Sequence, residues 1–194
     1  MGFGKTFSLS LVAFIGLNFI FSILYLALGP GFNELLNRFN PNSPDYAPLM
    51  IIYYLFGSVG SVPSTNMDWA LVQPLLNDNM DFLVTGLGFI VAPLIAAILA
   101  GKFAESKFQG FAGWLLTVVV STVVVGIGVF LSPTFQDTLK SETYLVFFYT
   151  YFPSLLIPGS GGFEMILIFL LIACVINIIF YGFFALLVSK TEYY

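Results

Sequence analysis

From Phe7 to Leu28 the sequence carries no charged residue, and a stretch of that kind leaves few folds open. About 20 apolar residues, rising about 1.5 Å each, cross a hydrocarbon core of about 30 Å. In lipid every backbone amide and carbonyl must be paired within the protein, so such a stretch is a helix. Three later stretches share this character, and the predicted spans are about 6–29, 82–101, 111–131 and 163–188. Composition agrees. Hydrophobic residues make up 59% of the chain and charged residues 8%, against roughly a quarter charged in a soluble domain. That is too little polar surface to cover a water-exposed globule. The predicted fold is an all-α integral membrane protein with four transmembrane helices. The first run exceeds the roughly 7–15 residues of a signal-peptide core and no A-x-A site follows, so it reads as a retained helix.

A motif at the end of the second span returns at the end of the fourth. Ala92–Ala104 reads APLIAAILAGKFA and Ala173–Ala185 reads ACVINIIFYGFFA. Ala92/Ala173, Ile95/Ile176, Ile98/Ile179, Gly101/Gly182, Phe103/Phe184 and Ala104/Ala185 match. After the first and third spans, Leu28, Pro30, Phe32 and Leu36 align with Leu131, Pro133, Phe135 and Leu139. Within the loops, Tyr53, Phe56 and Ser58 align with Tyr149, Phe152 and Ser154. The pattern predicts a tandem 2+2 parallel repeat, residues 1–105 and 106–194, each unit being helix, long loop, helix. Two crossings per unit give both copies the same orientation. Residues around 61–80 form an insertion in the first unit.

The loops carry short apolar segments of their own. Pro48–Phe56 (PLMIIYYLF) is too short to span and reads as interfacial, re-entrant or buried against other helices. Gly57, Gly60 and Pro63 break it. Phe32–Phe39 and Met67–Leu76 read as short helices, the latter carrying Trp69 as an interface anchor. The second loop holds the aromatic run Tyr144–Phe152 and the glycine-rich Gly159–Gly162.

Lysine placement sets the orientation. Lys5, Lys102, Lys107 and Lys190 fall on one side of the four spans, and Arg38 and Lys140 on the other among most of the acidic residues. The positive-inside rule then places both termini in the cytoplasm and both long loops outside a cell membrane.

Few residues offer chemistry. The chain has no histidine, which removes Ser–His and Cys–His pairs and imidazole metal sites. Cys174, the only cysteine, lies deep in an apolar span, where a thiol is inert. No cofactor, no metal site and no catalytic group is expected. A net charge of −4 gives no basic surface for nucleic acid. The polar candidates inside the spans are Asn18 and Asn177 near the span centres and Thr117, Ser121 and Thr122 of the third span, which can line a solute path or hydrogen-bond between helices. Asp81 and Glu164 stand at the outer span ends, where a carboxylate can attract cations or complement a helix dipole. Ala92, Ala96, Ala100 and Gly101 form a strip of small side chains on which a neighbouring helix can pack closely.

Three functions fit such a chain, and they differ in what the interior must contain. A channel or facilitator, in a dimer or alone, needs a continuous polar path past the two asparagines and the third-span hydroxyls. An enzyme acting on lipid-like substrates needs a converging carboxylate or hydroxyl cluster under the loops. A non-catalytic structural or accessory subunit of a larger membrane complex needs neither, and the elimination of catalytic groups favours it. Its expected partners are the lipid bilayer and other integral subunits or a homodimer mate.

Overall fold

The computed structural model describes residues 3–28, 47–77, 80–131 and 163–189. Its helices in chain order are α1 (Phe3–Leu28), α2 (Ala47–Phe56), α3 (Pro63–Met67), α4 (Gln73–Asn77), α5 (Met80–Lys102), α6 (Lys107–Leu131) and α7 (Phe163–Val188). A 3₁₀ turn, Gly57–Gly60, follows α2, and a π-helical turn, Asp68–Val72, lies between α3 and α4. Helices α1, α5, α6 and α7 are long and apolar enough to cross a membrane. The described residues are almost entirely helical, and these four helices are consistent with a multi-pass membrane protein.

Local chemistry sets several boundaries. Helix α5 ends at Lys102, and the turn to α6 takes only Phe103–Ser106. Ser106 Oγ accepts from the Gln109 amide at 3.3 Å, and Gln109 Oε1 accepts from the Glu105 amide at 3.3 Å. This reciprocal pair, close to a capping box, serves amides that the first turn of α6 leaves free. Pro63 sits in the first turn of α3, where its missing N–H costs nothing.

Helix α1 packs on α5 and α6, and α7 packs on the same two. Trp114 of α6, fully buried, is the hub. Its ring meets Phe14 of α1 edge-on at 6.3 Å and Tyr181 of α7 at 5.9 Å. Offset and edge-on ring pairs of this kind add to plain area burial. At the end of the bundle that holds the 103–106 turn, two glycines bring three helices together. A methyl group on Gly101 would fall on the Ala185 carbonyl oxygen of α7 and lie 2.6 Å from Val188 Cγ2. One on Gly110 would strike Ser189 Oγ and lie 3.0 Å from Gly101 Cα. Only glycine lets these backbones approach so closely.

Residues 47–77 pack against all four long helices. Helix α2 packs between α1 and α6, with Ile52 against Gly128. The 3₁₀ turn touches α5, α6 and α7, and Gly57–Ser61 are all buried. The chain then returns along α5 through α3 and the π-helical turn. Ala70 is buried on this return, while Leu71, Val72, Leu75 and Leu76 are exposed. The sequence-predicted helix Phe32–Phe39 and the second loop, with Tyr144–Phe152 and Gly159–Gly162, lie outside the described residues. So do the side chains of Trp69, Asp81 and Glu164.

Candidate functional site

A helix that ends inside an apolar bundle leaves its last carbonyls without partners. Helix α2 and its 3₁₀ extension end that way, and side chains of the long helices supply the missing donors. Ser22 of α1 donates its single hydroxyl proton to a position shared between Tyr54 O at 3.0 Å and its own Asn18 O at 2.8 Å. Asn177 of α7 gives its two amide protons to the tip, reaching Val59 O at 3.3 Å and Ser61 O at 2.8 Å. Ser61 Oγ closes back on Ser58 O at 3.2 Å. Trp114 Nε1 donates to Asn177 O at 3.2 Å, which holds α6 against the same point of α7.

Helix α3, on the returning limb of the segment, makes one more such bond. Pro93 lies inside α5 and has no N–H to give to Phe89 O, four residues earlier. Asn66 Nδ2 donates to that oxygen at 3.3 Å. The freed carbonyl in the middle of an apolar helix is thereby paired from the neighbouring segment.

A small cavity of about 20 Å³ lies between α1, α2 and α5. Asn18, Ser22 and Thr85 give it a polar side, and Phe21, Tyr25, Tyr53 and Phe89 an aromatic one. Its size suits about one water molecule. Asn18 Nδ2 donates to Phe14 O of its own helix at 2.9 Å.

The sequence-predicted polar residues therefore do different things. Asn18 borders the cavity, and Asn177 clamps the tip of the insertion. Thr117 Oγ1 donates to Gly113 O in its own helix at 3.0 Å. Ser121 and Thr122 are buried, and their hydroxyls have no hydrogen-bond partner among the described residues. Ala92, Ala96 and Ala100 are fully buried, and Gly101 meets Ala185 of α7. Six residues that sequence reasoning did not select also take part: Ser22, Ser58, Ser61, Asn66, Trp114 and Tyr181. A signal for Asn66 existed in Pro93, since a proline inside a span announces a carbonyl in need of a donor. Ser22, four residues after Asn18, stood on the same helix face as a residue already chosen.

All buried polar residues among those described are uncharged. Cys174 is a buried free thiol. The arrangement is a neutral hydrogen-bond framework built around an inserted segment. No family model matches the chain, and neither a curated protein nor a solved structure is similar to it at a significant level.

Proposed function

We propose that the protein is a non-catalytic structural or accessory subunit of a larger integral-membrane complex. In this reading it spans a cell membrane four times, with both termini cytoplasmic and residues 47–77 re-entering from outside. The observation that carries the reading is the use of the interior amides and indole. Asn18, Asn66, Asn177 and Trp114 all give protons to backbone carbonyls of this same chain. Polar residues inside a membrane protein commonly mark a path or a reaction site, but Asn66 and Asn177 are engaged in holding an irregular segment within the bundle, Trp114 in joining α6 to α7, and Asn18 in its own helix. The outer surface offers α7 as one broad apolar face, with Leu171, Val175, Ile179, Phe183 and Leu187 exposed. Such a face meets lipid and partner helices equally well, so the weight falls on the interior. The test is gentle extraction followed by mass spectrometry and sizing. Integral proteins that remain in fixed ratio support a subunit role. A monodisperse homodimer without companions overturns it.

A second reading, a small channel or facilitator of 2+2 repeats, draws support from Ser121 and Thr122, whose buried hydroxyls have no partner on α6 or its neighbours. Solute or ion flux in liposomes containing only this chain would establish it. Electrically and osmotically tight liposomes would remove it.

A further inference from the structure

Three lysines gather at the end of the bundle that holds the 103–106 turn. Lys102 closes α5 and Lys107 opens α6. The two helices touch there, since a methyl group on Gly110 would lie 3.0 Å from Gly101 Cα. Lys5 stands in the first turn of α1, next to Thr6, whose Oγ1 lies 3.0 Å from where a methyl on Gly113 would stand. Gly110 and Gly113 are only about 4.5 Å apart along the axis of α6. The start of α1 and the end of α5 therefore meet α6 at nearly the same depth. Lys5, Lys102 and Lys107 are all exposed, and no ion pair joins them to another described residue. Glu105 is the one acid among the described residues at this end.

Each lysine has an exposed phenylalanine within two positions. Phe3 precedes Lys5, Phe103 follows Lys102, and Phe108, 79% exposed, follows Lys107. Helix dipoles explain only one of the lysines. Lys102 complements the negative end of α5, but Lys5 and Lys107 stand in first turns, where the dipole opposes a cation. An anion outside those turns reverses that sign.

The occupant must satisfy both halves of the patch. Helices α1, α5 and α6 are long and apolar enough to cross a membrane, and the layer at the end of such a helix is that of the lipid headgroups. A phosphodiester supplies the negative charge, while lysine stems and aromatic rings sit among the glycerol and upper acyl carbons. An acidic protein segment would meet the lysines and leave the rings facing carboxylates. A zwitterionic headgroup brings an ammonium of its own.

We propose that this end of the bundle binds anionic phospholipids, with Lys5, Lys102 and Lys107 at the phosphates and Phe3, Phe103 and Phe108 among the chains of the same lipids. The lipids form a collar around the three helix ends, so the lysines need not converge on one phosphate. The collar requires that these helices cross a bilayer. It does not depend on which side the termini face, or on whether the protein is a subunit or a pore.

Quenching by brominated lipids tests this on the full chain in detergent micelles. Phe108→Trp places a reporter in the patch, read against the parent chain, whose own tryptophans give the background. Brominated phosphatidylglycerol is expected to quench the reporter at a mole fraction at least tenfold lower than brominated phosphatidylcholine does. Each lysine near an anionic surface contributes roughly fivefold in affinity. Lys5→Gln, Lys102→Gln and Lys107→Gln, each made singly, should cut the preference by about that factor, and Lys→Arg at the same positions should keep it. Raising the salt should weaken it as well. Equal quenching by the two lipids overturns the proposal, and so does a preference that the three glutamine variants leave unchanged. Release of the lipid by soluble glycerol phosphate at matched concentration would show a site for free phosphate and overturn the collar.

Discussion

Asn66 gives its side-chain amide to Phe89 O, the carbonyl that Pro93 leaves without a donor. The proline and the asparagine are thus one unit, although they lie on different elements. Removing the amide alone, in Asn66→Ala, strands a buried carbonyl and is expected to cost about 1–3 kcal/mol. Restoring the N–H with Pro93→Ala gives Phe89 O an intrahelical partner, so Asn66→Ala should then cost less. Unfolding of the two single variants and the double variant in mild detergent measures the coupling. Strict additivity would show that the Asn66 amide does not stand in for the N–H that Pro93 lacks.

The close approach at Gly101 makes a second prediction. A side chain there would meet backbone, the Ala185 carbonyl oxygen, which cannot turn aside as a flexible side chain does. Gly101→Val is expected to lose about 1–3 kcal/mol or more, as overpacked cores do, by separating α5 from α7. Gly16 is the internal control, because nothing lies within 4 Å of where its methyl would stand. Gly16→Ala should be neutral or slightly stabilising through helix propensity. Paired thermal melts of the two variants separate tight packing from a general intolerance of change.

Why the spans were legible and the site was not follows from range. The four long helices are encoded locally, by uninterrupted apolar runs such as Phe7–Leu28, and the lipid requirement admits no other structure for them. The start of the third span moved from about residue 111 to Lys107, where Ser106 accepts from the Gln109 amide and caps α6. The strip Ala92, Ala96, Ala100 and Gly101 could be read as a packing face from its spacing, but its neighbour could not. The clamp between Asn177 and Ser61 joins residues 116 positions apart. Nothing near Asn177 in sequence tells whether its amide meets a helix, a solute or a loop. Only the fold of Pro48–Phe56 into the bundle, one of three placements its length allowed, decides that. The motif matched between the second and fourth spans is a further case. Gly101 and Gly182 occupy matching positions, yet Gly101 faces α7 while Gly182 faces Phe111 and Trp114 of α6.

The clamp itself can be broken selectively. Asn177→Leu keeps the volume but strands Val59 O and Ser61 O inside the bundle. The expected loss is about 2–5 kcal/mol, from two hydrogen bonds and the carbonyls left unpaired. Asn177→Gln keeps the chemistry on a longer arm and should lose less. Hydrogen exchange of residues 57–62 reports the local effect. Faster exchange confined to this segment in Asn177→Leu is the expected outcome, with α1 and α5 unchanged. Uniform acceleration along the chain would mean that Asn177 supports the whole bundle instead of the insertion.

Orientation can be settled with single thiols. Cys174 is buried, so Cys174→Ala provides a background in which an added cysteine is the only reactive one. Ser106→Cys in the short turn should be blocked by a membrane-impermeant maleimide only after the membrane is opened. Ser43→Cys in the first long loop should react in intact cells. The rationale is the lysine count, with Lys5, Lys102, Lys107 and Lys190 on one side of the spans, and basic residues near span ends are retained in the cytoplasm. The opposite labelling pattern would invert the proposed topology, and the inserted segment 47–77 would then open toward the cytoplasm. Reversal by Lys102→Glu with Lys107→Glu, in a chain otherwise unchanged, would show that these charges set the orientation.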